Sequence, residues 1–290
     1  MIKSLSLGYE DCFDEELLRV VRESGFQGVD LGLYNVALPD EKTWEKNILN
    51  TRENLEKAGL SVAQTHLNFY SLFLSSELDD EMASKRIHWG IQATAMLGAK
   101  WGAYHPMTAF NFNCDRERSV ADNQEKLKRF LETAEKYGAG IAVENIPIFP
   151  DCPQHKFFSG YPEELIAVVD GLDSDKIGVC WDFGHANLMR NWGVEMADSL
   201  EKIGSRVKIV HMHNNRYPIG DEHLCPQIGS VDWQEALPIL KKHGYSGPFN
   251  LEINLSTKGK NASSLGDFRY DYIRFCGLGA DRLVEIWEKA

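Results

Sequence analysis

Residues 176–187 read KIGVCWDFGHAN, an apolar run that ends on Asp182, with His185 three positions further on. The six residues from Ile177 to Asp182 have the length and character of a strand covered on both faces. A carboxylate or imidazole buried there without a partner would cost several kcal/mol, so each needs one. The same arrangement recurs outward along the chain. His66 lies in VAQTHLN, His105 in WGAYHP, Glu144 in GIAVENIP, His211 and His213 in RVKIVHMHNN, and Glu252 in GPFNLEIN. So many acidic and imidazole groups arriving where apolar runs end are better explained by convergence on one cation than by separate accidents.

Strand-like runs number eight: Lys3–Gly8, Gly28–Leu33, Ser61–Leu67, Trp101–Pro106, Ile141–Asn145, Ile177–Asp182, Val207–His213 and Phe249–Asn254. Between them lie stretches with helical spacing, such as FDEELLRVVRESG, TWEKNILNTRENLEKAG, RIHWGIQATAMLGA, EKLKRFLETAEKYGA and WQEALPILKKHG. Gly25, Gly59, Gly138 and Gly244 are placed to end four of the helices as left-handed caps. Strand then helix, repeated eight times, predicts an α/β fold, a (β/α)8 TIM barrel, because right-handed crossovers leave few other arrangements. There is no fixed-period repeat and no linker, so residues 1–290 read as a single domain. Barrel enzymes carry their chemistry at the C-terminal ends of the strands, where these polar residues fall. The long irregular stretches 146–161 and 214–231 are expected at the same mouth, as lid or specificity elements.

Composition narrows the partners. With 290 residues, 43% of them hydrophobic, one sizeable core can be built. A formal net charge of −12 repels phosphate backbones and anionic lipid, which makes nucleic acid a disfavoured partner. The six scattered cysteines form no CxxC pair and read as reduced thiols. Without a signal-like N-terminus or an apolar run long enough for a membrane span, a soluble, cytoplasmic protein is expected. Mixed carboxylate and imidazole donors suit Mn, Mg, Co or Zn without choosing among them.

AVENIP, the Asp-x-x-His of WDFGH, the HMHNN end of the seventh run, DEHL with the downstream IGSVDW, and NLEIN together resemble the xylose-isomerase-like TIM barrel family. That family includes sugar phosphate isomerases and epimerases, inositol-pathway isomerases and dehydratases, and endonuclease IV. The resemblance spans essentially the whole chain. It implies one divalent metal held by Glu144, Asp182, His213 and Glu252, with His185 against substrate oxygens. It also places Asp221 and His223 as an Asp-x-His pair near the site, with Trp233 as the aromatic that follows. One departure is QIGSVDW (227–233), where many relatives carry G-x-G before the aromatic.

Chemistry open to such a site is proton transfer next to a carbonyl: a divalent ion acidifies the C–H by stabilising an enediolate. Glu144 and Glu252 would carry the proton, making the protein an isomerase or epimerase of a sugar, sugar phosphate or inosose. His66, His105, His185, His211, Asp221 and His223 would bind substrate or a second metal. Two readings of the same barrel stay open. An endonuclease IV-like phosphodiesterase acting on abasic DNA would hold up to three Zn, for which His66, His105, Glu144, Asp182, His185, His213, Asp221, His223 and Glu252 supply candidates. Against it stand the net charge and mouth loops in which 146–161 offers only Lys156 and 214–231 only Arg216. A metal-dependent dehydratase or lyase of a keto-sugar or keto-inositol would share the enediolate. Relatives imply a homodimer or homotetramer. His88, His155 and His243 are expected to be structural or solvated, and Trp44, Trp101 and Trp192 are assigned no catalytic role.

Overall fold

The computed structural model describes residues 1–33, 42–68, 80–111, 113–255 and 268–290. Eight strands run as β1 (Lys3–Gly8), β2 (Gly28–Gly32), β3 (Ser61–His66), β4 (Trp101–Tyr104), β5 (Gly140–Glu144), β6 (Ile177–Asp182), β7 (Val207–His211) and β8 (Phe249–Leu251). All neighbours pair in parallel, in the order β8-β1-β2-β3-β4-β5-β6-β7. The ring is completed between its ends where the Met212 N–H, just past β7, donates to the Asn250 carbonyl at 2.7 Å. The fold is the (β/α)8 TIM barrel expected from the alternation.

Around the strands lie α1 (Glu15–Glu23), α2 (Trp44–Lys57), α3 (Asp80–Met96), α4 (Arg116–Tyr137), α5 (Pro162–Asp170), α6 (Phe183–Leu188), α7 (Met196–Ile203), α8 (Trp233–Lys242) and α9 (Arg269–Lys289). Their apolar stripes face the strands: Leu17, Leu18, Val20 and Val21 of α1 and Leu127, Phe130, Leu131 and Ala134 of α4 are buried. The four helix-ending glycines have φ between 74° and 88°, with Gly138 itself the cap of α4. Only glycine enters that region without a Cβ penalty.

Inside the ring the side chains sort by strand parity. Ala103, Ala142, Cys180 and Ile209 form a small buried cluster of their own, contributed by β4 to β7. Two residues further along the chain, on the same face, come His105, Glu144, Asp182 and His211. This layer of small apolar side chains is the floor on which the polar groups stand. Across the ring the corresponding positions are polar: Ser4, Ser6, Asp30, Gln64 and Asn250.

Several expectations are corrected in detail. Six of the eight strands end one to three residues sooner, while Lys3–Gly8 and Ile177–Asp182 keep the expected bounds; this leaves His213 and Glu252 just beyond β7 and β8. After β6 a helix starts at once, with Asp182 as its N-cap accepting from the His185 N–H at 2.7 Å. Cys225 and Cys276, 51 residues apart, are brought together with their Cα atoms 5.5 Å apart. A separation of that length gives no sequence signal. Among the described residues no helix is long and apolar enough to cross a membrane.

Candidate metal centre

All ten candidate residues meet at the C-terminal mouth of the barrel, nine of them in three neighbouring groups, two of which share Glu144 and His211. Glu144, Asp182, His211 and Glu252 form the first, each offering a ligand atom within 4.8 Å of the others. His211 Nδ1 lies 3.3 Å from Glu144 Oε1, 3.2 Å from Glu252 Oε2 and 3.8 Å from Asp182 Oδ2. The sequence reading put His213 in this position. In the structure it is His211 that stands in register with Asp182 across β6 and β7. His213, two residues on, has left the strand and joins the second group, His185, His213, Asp221 and His223.

That second group is knit through its carboxylates. Asp221 Oδ2 is 3.4 Å from His185 Nε2 and 3.2 Å from His223 Nε2, and His213 Nε2 is 3.0 Å from Asp182 Oδ2. The His213 and His223 rings stack with centroids 4.0 Å apart. His223 has φ 48°, a left-handed conformation that costs a non-glycine residue about 1–3 kcal/mol and collects at functional positions. The third group is His66, Glu144 and His211. His105 joins it at the rim, with Nε2 3.1 Å from Glu144 Oε2 and 3.1 Å from His66 Nε2.

Two residues that place these groups escaped the sequence reading. Asn145 clamps β5 to β6: its Oδ1 accepts from the Asp182 N–H at 2.7 Å and its Nδ2 donates to the Asp182 carbonyl at 2.9 Å. The Asn145 carbonyl also lies 2.8 Å from His185 Nδ1 and orients that ring. Asp30 on β2 faces His211 Nε2 at 3.3 Å. Its signal was present in GVDLG, a carboxylate within an apolar run, but inside the strand and not at its end. Phe149, from the long stretch after β5, sets its ring edge-on to His185 at 6.4 Å, so this segment does reach the mouth.

Electrostatics follow from burial and crowding. Burial alone would raise the Glu144 carboxyl, but His211 and His105 hold it well below the usual carboxylate range. Glu252 is likewise lowered against the effect of burial, chiefly by His211 and His223. Asp221 is lowered, against burial, by His185 and His223. Burial pulls the His185 and His211 imidazoles down, yet the surrounding acids carry both well above their ordinary value, and His223 rises to about 9. His66 is raised, against burial, by Glu144, whereas burial prevails at His105 and lowers it.

A divalent cation fits this donor set. Three carboxylates crowd the first group beside one imidazole, an excess of negative charge with mixed oxygen and nitrogen donors that suits a divalent cation. Glu144 Oε2 is also buried without a hydrogen bond. Glu144, Asp182, His211 and Glu252 would hold the ion.

An eight-stranded barrel with such a mouth defines a class, and sequence comparison gives the family. The chain belongs to the xylose isomerase-like TIM barrel family, whose model matches residues 18–267. An inosose isomerase of Halalkalibacterium halodurans is 31% identical over 133 residues, 44% of each protein, so the chain matches less than half the length of that relative. Among solved structures, a D-tagatose 3-epimerase-like protein superposes with TM-score 0.72 at 20% identity over 98% of both chains. The IolI protein, solved with a bound zinc atom, superposes with TM-score 0.69 at 18% identity over 98% of both chains. These last two likenesses speak to the fold.

Proposed function

We propose that this protein is a divalent-metal-dependent isomerase or epimerase of a small carbohydrate: a sugar, a sugar phosphate or an inosose. The observation that carries the reading is the first group, three carboxylates and His211 converging at a barrel mouth. A bound ion there would supply acidification of the C–H beside a carbonyl. Glu144 and Glu252 each approach His211 Nδ1, at 3.3 and 3.2 Å. Both are held below the usual carboxylate range, so they are ionised at neutral pH and able to accept a proton. One would take the proton and the other return it; return to the opposite face epimerises, return to the adjacent carbon isomerises. His185 and His223, whose ring nitrogens are raised in pKa, would donate to substrate oxygens. The inosose isomerase relative supports this assignment.

A second reading, the multi-zinc phosphodiesterase, is favoured by one observation: two further ligand groups overlap the first through Glu144 and His211 or border it through Asp182. Metal analysis separates the two, with one equivalent of Mn, Mg, Co or Zn supporting the sugar enzyme and three of zinc the nuclease. The decisive test is a screen of ketoses, inososes and their phosphates in deuterated buffer for metal-dependent hydrogen exchange. Exchange without loss of water or aglycone supports isomerisation or epimerisation. Loss of either points to a dehydratase or lyase, and no exchange with any substrate refutes proton transfer.

A further inference from the structure

We propose that Asp30 is a positioning residue: from the floor of the barrel its carboxylate holds His211 with the proton on Nε2 and the Nδ1 lone pair turned toward Glu144, Asp182 and Glu252. This rests on the reading that those four residues hold a divalent ion.

Asp30 is 1% exposed and sits mid-strand in β2, below the level of the candidate ligands. A carboxylate so placed needs either a cation or a set of donors. No lysine or arginine reaches it among the described residues. Its Oδ2 instead gathers three neutral donors: Ser6 Oγ at 3.2 Å, Gln64 Nε2 at 3.3 Å and Asn250 Nδ2 at 3.0 Å. These come from β1, β3 and β8, so the carboxylate is fixed from both sides. The support extends one step further, since Ser4 Oγ donates to Asn250 Oδ1 at 3.0 Å and so aims the amide N–H groups at Ser6 and Asp30. Amides and hydroxyls orient a carboxylate without neutralising it. The charge is left facing His211 Nε2 at 3.3 Å.

His211 thus lies between two acidic faces. A neutral imidazole carries one N–H, and a nitrogen that ligates a cation must present its lone pair. Nδ1 is the nitrogen within 3.2–3.8 Å of the three carboxylates, so the proton belongs on Nε2, which makes no hydrogen bond and faces Asp30 Oδ2 at 3.3 Å. The His66 ring, stacked on His211 with centroids 5.5 Å apart and planes 19° from parallel, keeps the plane of the imidazole. A carboxylate behind a ligating histidine sets its tautomer and raises its basicity, and loss of such a partner typically costs about 10–100-fold in metal affinity. Asn in place of Asp30 would remove the charge. If its amide nitrogen took the Oδ2 position, it would also meet the donors of Gln64 and Asn250 head-on.

The probe is the metal alone. Zinc is titrated into wild-type protein and Asp30→Asn by competition with a chromophoric chelator. The cobalt-substituted spectra are compared to separate a displaced ligand from a merely less stable fold. The expectation is about 10–100-fold weaker zinc binding and an altered cobalt spectrum in the folded variant. In the zinc-loaded wild type labelled with 15N-histidine, NMR should show His211 protonated at Nε2 and metal-shifted at Nδ1, a result that does not depend on the variant folding. If wild type takes up zinc but Asp30→Asn binds it equally well, the role of Asp30 is overturned and the metal site stands. A His211 that ligates through Nε2 overturns it in the same way. If wild type binds no divalent ion, the functional reading falls, and this inference with it.

Discussion

Changing Glu252 to Gln isolates proton transfer from the rest of the site. Glu252 lies just past β8, with Oε2 3.2 Å from His211 Nδ1 and its side chain 20% exposed, against 1% for Glu144. It is therefore the carboxylate of the pair more open to the mouth. Glutamine keeps the shape and one oxygen that can coordinate, but it loses the charge and cannot carry a proton between substrate carbons. Losing a positioned base costs about 10²–10⁴-fold in rate, or about 3–5 kcal/mol on the barrier. The neutral side chain also weakens the hold on a cation, so the comparison is made at saturating metal with occupancy measured by elemental analysis. The assay is 1H NMR of a responsive ketose or inosose in deuterated buffer, following loss of the signal from the carbon next to the carbonyl. Undiminished exchange in the fully loaded variant would refute the role given to Glu252 and the paired-carboxylate scheme with it.

Metal uptake at pH 7 should release protons, because His211 is raised in the metal-free protein and ligation needs a lone pair. Affinity then rises with pH, and calorimetry in buffers of different ionisation enthalpy should return a positive proton count; a count of zero refutes it. For the metal-free fold the sign is the opposite. The raised pKa of His223 adds stability that is complete below its ordinary value of 6.5 and is lost as pH rises through about 9, which chemical denaturation across that range would reveal. Gly184→Ala would place a Cβ 2.0 Å from His213 Cε1, an overpacking worth about 1–3 kcal/mol. A lower melting temperature is expected, and an unchanged melt would contradict the packing of His213 against α6. Chelator should lower the melting temperature of the loaded protein, since an ion at 100 times its dissociation constant contributes about 2.7 kcal/mol; no shift would mean that no ion binds the native state.

The barrel was legible because burial on both faces makes each strand a short apolar run, and because helix-ending glycines such as Gly138 mark where helices stop. The mouth was legible for the same reason: Glu144 and Asp182 interrupt runs that are otherwise apolar to their last residue. What the sequence could not decide was His211 against His213. Both share one parity on an extended chain, and the choice depends on where β7 ends and how it registers with β6. The inner layer offered a clue, since Ile209 precedes His211 as Ala142 precedes Glu144 and Cys180 precedes Asp182. Counting layers from the floor upward puts His211 level with Glu144 and Asp182. Asp30 and Asn145 were harder, because Asp30 acts on His211 across the barrel and Asn145 on the neighbouring β6, and each shows nothing unusual in its own local pattern beyond one polar side chain.

Overlap between the three groups ties the number of ions to the protonation of the outer histidines. His185 Nδ1 lies 3.3 Å from Glu144 Oε1 while its Nε2 faces Asp221 at 3.4 Å, so one ring borders both the first and the second group. With protons on His185 and His223, the second group is a set of donors around Asp221, suited to hydroxyls and carbonyl oxygens of a sugar. A second ion has to displace those protons and add positive charge beside the first ion. In the metal-free protein the surrounding acids raise both histidines, and this makes displacement costly at neutral pH. One ion with a protonated outer set is therefore the state the electrostatics favour, and it is the state that the proposed proton transfer on a carbohydrate calls for. The competition also has a direction: raising pH and zinc together would fill the second group and withdraw the donors on which sugar binding relies. Metal-dependent exchange should accordingly fall as excess zinc is added at alkaline pH, while manganese or magnesium, which prefer oxygen donors, should leave it intact.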